Sequence, residues 1–482
     1  MAAITKQRVS KHEYIPKQWA DRLALHGVRC AAVGDPESGT NRPQYEVAVS
    51  DVRALVVKEK AAEAWMSGAV AAPGPRERCY VPDEEPLPRT AQQAARMAVR
   101  AIYALGWKEG VVGLRIEEDR QPTVIRIRER AECGDRFVEW LRAGSIREPG
   151  SSAAASPSAG PSSVGSQSVG SQSVGSQDVD SPYAGSLFTD SPYAKSQNAG
   201  SPNIGSPYTG SPNADSPYTV MIGMDPEFVL VSPEGKIVPA SRFLDKRGMV
   251  ICDEAVVNGK MFHLLAELRP APHVDPLEAL HNLHRALRLA ERKISDKRLV
   301  WKAGGLPHEL LPTGGHIHFS GVPLSGELLR VLDNYVALPL WMVEDERSLR
   351  RRPRFGFLGD FRVKKHGGFE YRTLPSWLVA PHIAAGVLAL AKTAAEQHGM
   401  LRLRPLADES AQRDFYTGEK RRLGGEVERI WADLERTPLW SRYEKLLKPL
   451  RRLSLEGRPW NSDADLRKVW KLDRLQTGST GG

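Results

Sequence analysis

Residues 144–219 divide the chain into two parts, because their composition cannot form a hydrophobic core. A five-residue period runs through the segment: three copies of Ser-Val-Gly-Ser-Gln occupy residues 163–177, and units that begin Ser-Pro-Tyr or Ser-Pro-Asn continue to residue 218. Stacked repeat folds use units of roughly 20 to 50 residues, and so few apolar side chains cannot offset the entropy lost on folding. The segment is therefore predicted to be a disordered linker.

Composition and length describe a globular protein with more than one domain. The chain has 482 residues, with 41% hydrophobic and 26% charged side chains, and no apolar run long enough to cross a bilayer. The four cysteines are scattered without a CxxC pair, so neither a zinc site nor a disulfide framework is indicated. No apolar leader opens the sequence. These features predict a cytoplasmic protein without a membrane partner.

The formal net charge is +9. Such an excess of cations fits a nucleic-acid partner or anionic substrates such as nucleotide phosphates, and charge alone does not choose between them.

Residues 1–143 are predicted to form a small α+β domain. Apolar residues recur with helical spacing over 90–105, and residues 110–116 and 123–127 alternate as the two strands of a hairpin. This helix and hairpin faintly resemble the C-terminal part of an ATP-grasp domain. Residues 125–129 lack the carboxylate and asparagine that hold magnesium in that family, so a degenerate unit with a structural or docking role is predicted.

Four strands predicted after residue 219 each carry two polar side chains that are two residues apart. The pairs are Asp225 and Glu227, Glu267 and Arg269, His316 and His318, and Glu370 and Arg372. Side chains two apart on a strand share one face, so the four pairs are expected to line the concave face of a curved antiparallel sheet. The His-x-His pair alone fits a half-exposed strand as well as a ligand site.

Burying these carboxylates together is costly unless cations neutralise them. Two divalent metals would do so, and carboxylates with imidazoles suit Mg²⁺ or Mn²⁺. Eight cations between residues 347 and 365, interleaved with glycines and phenylalanines, predict an ordered loop that lays positive charge against phosphates.

The surrounding elements follow from the same patterns. Helices are predicted at 275–293, 325–344 and 381–398, followed by a basic helical extension over 401–482 whose tryptophans are predicted packing anchors. Pro226 lies inside the first polar strand and predicts an edge strand or a bulge there.

The order of these motifs resembles the phage-type COOH–NH2 ligases, which are amidoligases of the glutamine synthetase-like fold. The motifs are GMDPEF at 223–228, ELRPAP at 267–272, GGHIHF at 314–319, RFGFLGDFR at 354–362 and FEYR at 369–372. The resemblance covers about residues 220–395, within a catalytic domain expected over 220–400. It implies an α+β fold with a curved antiparallel sheet flanked by helices, and ATP with two divalent metals on its concave face.

The resemblance also implies roles for individual residues. Asp225 and Glu227 would divide between the two metals, Glu267 would join the inner metal, and His316 and Glu370 would complete the outer site. The implied contacts to nucleotide or transferred phosphoryl group come from His318, Arg354, Arg362, Lys364 and Arg372, with Arg372, Glu370 and Arg362 as the catalytic set. A further carboxylate downstream of Glu267 is not evident, and Asp253 or Glu254 is expected to supply it.

The sequence therefore favours an ATP-dependent ligase that joins a carboxylate to an amine through an acyl phosphate. The substrates are expected to be small molecules or peptides, without a nucleic-acid partner. Two alternatives stay open: a catalytically inactive phage or virion-associated binding protein that retains the fold, and a metallohydrolase that uses the His-x-His strand.

Overall fold

The computed structural model describes residues 15–32, 42–60, 77–83, 86–133, 218–257, 259–365 and 367–472. The predicted linker lies outside the described residues except for its last two positions.

The N-terminal part is a five-stranded antiparallel sheet in the order β3-β2-β1-β4-β5, with one long helix packed on it. Its elements are α1 (Lys17–Leu25), β1 (Gln44–Ser50), β2 (Arg53–Lys60), β3 (Glu77–Tyr80), α2 (Arg89–Ala104), β4 (Glu109–Ile116), β5 (Pro122–Glu129) and α3 (Arg130–Cys133). The predicted helix and hairpin are confirmed as α2 and β4–β5. Alanines at helical spacing give α2 a flat apolar face, which lets it lie close to the sheet.

The second part is built around an eight-stranded antiparallel sheet that curls into a half-barrel. Its strands are β6 (Met221–Val231), β7 (Ile237–Val238), β8 (Val250–Val257), β9 (Lys260–Leu268), β10 (Val300–Lys302), β11 (Gly315–Ser320), β12 (Phe361–Val363) and β13 (Phe369–Tyr371). The main path is β12-β13-β11-β6-β9-β8, and β7 and β10 also pair with β6. The α+β class with a curved antiparallel sheet flanked by helices is thus confirmed.

The expectation that Pro226 marks an edge strand is wrong, because β6 lies in the middle of the sheet. Proline lacks an N–H and normally interrupts a central strand. Here Pro226 stands where β6 changes partners: the residues up to Pro226 pair with β11, whereas Glu227 and Phe228 pair with β9. The N–H group that proline lacks is therefore at the point where the β6–β11 pairing ends and the β6–β9 pairing begins.

Helices cover the sheet, and the apolar spacing explains which of them are buried. They are α4 (Pro276–Lys293), α5 (Gly326–Leu332), a π-helical turn (Asp333–Ala337), α6 (Leu338–Trp341), α7 (Pro381–Glu396), α8 (Glu409–Thr417), α9 (Lys420–Leu434), α10 (Pro438–Glu456) and α11 (Leu466–Val469). Helix α7 is apolar on all sides, and every side chain from Ile383 to Glu396 is buried. The tryptophans Trp431, Trp460 and Trp470 are buried packing anchors, as predicted. Within the described residues, no helix combines the length and apolarity needed to cross a membrane.

The N-terminal part and the second part share one hydrophobic core. Tyr103 on α2 donates a buried hydrogen bond of 2.7 Å to Asp333 Oδ2 in the second part. Arg100 donates to the carbonyl oxygen of Pro353 at 2.9 Å, and the Gly326 N–H donates to Asp51 at 2.9 Å. Linker composition predicts a separation along the chain, but it carries no information about docking in space.

Replacing Tyr103 by Phe should weaken this docking. The change removes the only donor to Asp333 Oδ2 among the described side chains, while Tyr371 and the Gly359 N–H still donate to Oδ1. We expect the free energy of unfolding to fall by about 1–3 kcal/mol, measured by chemical denaturation. Tyr80→Phe is the control, because its hydroxyl donates to the half-buried Glu59 within the N-terminal sheet. Equal losses in the two variants would contradict a special role for the buried contact.

Candidate active site

The register of the curled sheet brings the predicted polar pairs together. His316 stands directly opposite Asp225, and Glu227 stands directly opposite Glu267. On the other side of β11, His318 is opposite Glu370. Residues directly opposite on neighbouring antiparallel strands project from the same face. The polar side chains of each strand share one face, and the pairing of the strands places these faces side by side on one surface of the sheet.

The first cluster consists of Asp225, His316 and Glu370, all of which are buried. His316 Nδ1 lies 3.1 Å from Asp225 Oδ1 and 3.2 Å from Glu370 Oε1. His318 reaches the other oxygen of Asp225, with Nε2 at 2.9 Å from Oδ2. The His318 side chain is 29% exposed against 11% for His316, so it forms the solvent-facing edge of this cluster.

The second cluster consists of Glu227, Asp253 and Glu267, each with a carboxylate oxygen within 4.8 Å of the others. Of the two carboxylates that the sequence left open, the structure brings Asp253 to this group, whereas Glu254 is exposed. The register of β8 with β9 shifts between Asp253 and Ala255, so Asp253 keeps its place opposite Leu265 whereas Glu254 is left out of the pairing. Arg269 forms an ion pair with Glu267 at the rim.

A backbone donor that the sequence did not reveal also serves the second cluster. The Gly314 N–H donates to Glu227 Oε2 at 2.7 Å. A Cβ on Gly314 would overlap the imidazole of His316, so only glycine lets the backbone lie this close to both clusters. The sequence signal for this donor is the pair Gly314-Gly315 at the start of β11, since consecutive glycines indicate a close approach of the backbone.

The two clusters differ in protonation. Burial raises the pKa of Glu227 to about 7, and burial with repulsion from Asp225 and Asp253 raises that of Glu267 well above its usual range. In the first cluster burial also opposes ionisation. There, however, His318 and His316 hold the pKa of Asp225 well below its ordinary value. The second cluster thus lacks enough positive charge to ionise fully by itself.

Both clusters fit divalent metals. Each offers three ligand atoms that lie within 4.8 Å of one another, and all of these residues are buried except Asp253, which is half-buried. The sets contain only carboxylates and one imidazole. This chemistry suits Mg²⁺ or Mn²⁺. Asp225 and Glu227 are two residues apart on β6, so this strand supplies one ligand to each cluster.

Three cations surround Glu370. Lys364 Nζ lies 2.6 Å and an Arg362 nitrogen 3.6 Å from its Oε2, and Arg372 Nε lies 3.4 Å from its Oε1. Although burial and Asp225 oppose ionisation, His316, Arg372 and Arg362 lower the pKa of Glu370 to about 2. Glu370 therefore carries its negative charge throughout the neutral range.

The structure does not bring the whole basic loop to the site. Arg354 is exposed, and its guanidinium lies 5.3 Å from the centroid of the Phe355 ring, away from the contacts around Glu370. Arg352 is buried and makes two 2.7 Å hydrogen bonds to Glu344. Only the C-terminal end of the loop, with Arg362 and Lys364, reaches the clusters, because β12 pairs with β13 there.

The chain is similar to known carboxylate-amine ligases. The model of the family described as Phage phiEco32-like COOH.NH2 ligase-type 2 matches residues 222–472, just over half of the chain. This match includes the C-terminal helices, beyond the 220–395 of the sequence resemblance. The description of the matched family names a ligase of a carboxyl and an amino group. The chain belongs to this Phage phiEco32-like COOH.NH2 ligase-type 2 family.

Solved structures with distant similarity are also ligases. A bifunctional glutathione synthetase from Pasteurella multocida is 12% identical, with a TM-score of 0.32 over 53% of this chain and 48% of its own. A glutamate–cysteine ligase from Francisella tularensis, in complex with AMP, is 10% identical, with a TM-score of 0.37 over 54% of this chain and 88% of its own.

The ligase PafA, in complex with the ubiquitin-like protein Pup, is 11% identical, with a TM-score of 0.33 over 55% of this chain and 71% of its own. The chain spans about half the length of the first of these structures. A comparison with curated protein sequences finds no match. The family assignment accordingly rests on the sequence match alone.

Divalent cations should stabilise the protein through the second cluster. We expect Mn²⁺ at about 1 mM to raise the melting temperature by roughly 3 °C or more, because binding to the folded state alone stabilises it. Glu267→Gln should lose most of this gain. Its metal-free melting temperature should stay near that of the wild type, because burial and neighbouring carboxylates disfavour the charge on Glu267 and the glutamine oxygen can still accept the hydrogen bond from Arg269.

Glu254→Gln is the matched control for this experiment, because Glu254 neighbours Asp253 but is exposed. It should respond to Mn²⁺ like the wild type. An undiminished gain in Glu267→Gln would contradict the assignment of the second cluster.

Cation affinity should rise with pH. Below about pH 7 Glu227 holds a proton, and burial with repulsion from Asp225 and Asp253 also raises the pKa of Glu267, so protons compete with the metal. Between pH 6 and 8 the Mn²⁺ affinity should increase by up to about tenfold per unit for each proton displaced. Calorimetry in buffers of different ionisation enthalpy measures both the affinity and the protons released. An affinity that does not change over this range would contradict the protonated state of the cluster.

Proposed function

We propose that this protein uses ATP to join a carboxylate to an amine through an acyl phosphate, with two divalent ions, Mg²⁺ or Mn²⁺, in its site. The observation that carries the proposal is the pair of buried carboxylate clusters sharing β6, with cations grouped at one edge. Acidic ligands beside arginine and lysine are what a metal–triphosphate complex requires. The need for ATP also fits the cytoplasmic location expected from the sequence.

Each group of residues has a distinct task in this scheme. Asp225, His316 and Glu370 hold one ion, and Glu227, Asp253 and Glu267 hold the other. When bound, the two ions offset charge on the phosphate oxygens. His318, at the exposed edge of the first cluster, faces the phosphates. Arg372, Arg362 and Lys364 stabilise the phosphoryl oxygens as charge moves to the departing ADP.

The chemistry needs no nucleophilic side chain. A carboxylate is a poor acyl donor, so one of its oxygens attacks the γ-phosphorus of ATP, forming a P–O bond while the bond to ADP breaks. The amine nitrogen then attacks the carbonyl carbon, loses a proton, and expels phosphate with the activated oxygen. The protein contributes positioning and electrostatic stabilisation. The carboxylate and the amine are small molecules or peptides.

An ADP-release assay tests the proposal. Incubated with ATP, Mg²⁺ and mixtures of amino acids and short peptides, the wild type should release ADP only when metal, carboxylate and amine are all present. Glu370→Gln should lower the rate about 100-fold or more, because it removes a metal ligand and the anion that orders three cations.

Glu254→Gln is again the control and should keep the wild-type rate. ADP release that persists in Glu370→Gln would refute the assignment. Absence of ATP binding in calorimetry with Mn²⁺ would instead favour a binding protein that retains only the fold.

A further inference from the structure

Asp333 carries a buried carboxylate that joins three segments far apart in the sequence. It is 3% exposed and opens the π-helical turn, an irregularity that is common at functional sites. Its Oδ1 accepts from the Tyr371 hydroxyl at 2.7 Å and from the Gly359 N–H at 3.0 Å. Its Oδ2 accepts from the Tyr103 hydroxyl at 2.7 Å. One side chain therefore links β13, the turn before β12 and helix α2.

The ionised carboxylate can satisfy all three donors at once. Burial raises the pKa of Asp333 to about 6, and the three hydrogen bonds oppose this rise because they favour the charged form. An ionised carboxylate only accepts hydrogen bonds. Asp333 is therefore an acceptor for all three segments at neutral pH.

Two of these segments carry residues of the candidate site. Tyr371 ends β13, between Glu370 and Arg372. Successive residues of a strand point to opposite faces, so the Tyr371 hydroxyl anchors β13 from the side away from the site. Gly359 lies two residues before β12, on which Arg362 stands opposite Glu370. Asp333 thus supports both strands of the hairpin formed by β12 and β13.

The third segment is helix α2 of the N-terminal part. The Tyr103 ring packs so closely on Gly359 that a Cβ there would overlap it. The φ angle of Gly359 is +73°, which also favours glycine. The turn before β12 therefore lies against the same tyrosine whose hydroxyl reaches Asp333. Docking of the N-terminal part and the position of the hairpin share one carboxylate.

We propose that Asp333 is a positioning residue, which holds the β12–β13 hairpin so that Arg362 and Lys364 keep their contacts with Glu370. Its bond to Tyr103 makes that position depend on the N-terminal part, which lies outside the residues that the family model matches. Asp333 itself touches no substrate. Its effect on the reaction rests on the proposed function, whereas its effect on the hairpin does not.

The test compares Tyr371→Phe and Asp333→Asn with the wild type, both as the full chain. Each variant weakens the hydrogen bonds and nearly keeps the size of the side chain. The Thr373 hydroxyl also donates to the Phe357 carbonyl at 2.8 Å within the same turn. The hairpin should therefore loosen in the variants without unfolding.

Hydrogen exchange measures the hairpin directly. The Lys364 N–H donates to the Gly368 carbonyl and the Arg372 N–H donates to the Asp360 carbonyl, both at 2.8 Å. Exchange at these two amides should be about tenfold faster in both variants, the effect of losing one buried hydrogen bond.

The ligase assay measures the consequence for the reaction. We expect kcat for ADP release to fall about tenfold in both variants, because displaced cations stabilise the phosphoryl oxygens less well. The KM for the amine should stay at the wild-type value, since the hairpin cations act on the phosphoryl group. A role in stability alone would not divide kcat from KM in this way.

Tyr335→Phe is the matched control. Tyr335 lies on the same π-helical turn and is as deeply buried as Tyr371, but its hydroxyl donates to Asp433 on α9. The variant should lower the melting temperature as Tyr371→Phe does. It should leave kcat and the exchange of the two hairpin amides unchanged.

The outcomes separate this proposal from the proposed function. Faster exchange in Tyr371→Phe, in a protein whose wild type releases no ADP, would uphold the support of the hairpin and refute the ligase. In an active enzyme, faster exchange with unchanged kcat would overturn the positioning role, as would unchanged exchange in both variants. Equal effects in Tyr335→Phe would also overturn it, because they would show a general loss of stability.

Discussion

Carboxylates brought together in a buried place are the constraint on which this structure depends. Glu227 and Glu267 face each other directly across β6 and β9, and Asp225 and Glu370 meet across β11. Like charges so placed repel each other, and burial strengthens the repulsion. The first cluster is balanced by imidazoles, arginines and a lysine, whereas the second relies on protonation and Arg269. Because fewer positive groups surround the second cluster than the first, the second cluster is the better suited to bind an added cation.

Strand β6 links the fold to this chemistry. Because it lies in the middle of the sheet, its Asp225 and Glu227 reach different neighbours, one toward β11 and the other toward β9. Pro226 between them costs no interior hydrogen bond, since it stands where the ladder changes partners. A strand at the edge of the sheet has one neighbour and could supply a ligand to only one cluster. The central position of β6 therefore explains how two acidic residues, two positions apart on one strand, serve two sites.

Much of the fold and of the site could be predicted because the relevant signals are local. Alternation at period two placed Asp225 with Glu227 and His316 with His318 on common faces, and apolar spacing located α2 and α7 within about two residues. What the sequence could not predict was non-local. Arg354 shares a basic loop with Arg362, yet only the end that pairs with β13 approaches Glu370. The spacing of charged residues along a loop does not predict which of them lie on the part that pairs with the sheet and so reach the site.

The sequence by itself determined the elements, the polar faces of the strands and, through the order of its motifs, the family. Those properties depend on neighbours a few residues apart, where backbone geometry dictates direction. Only the tertiary structure decided that Asp253 rather than Glu254 joins Glu227 and Glu267, and that the N-terminal part packs against the ligase domain. Both depend on the register and docking of segments far apart in the chain, which are set by the fit of whole surfaces.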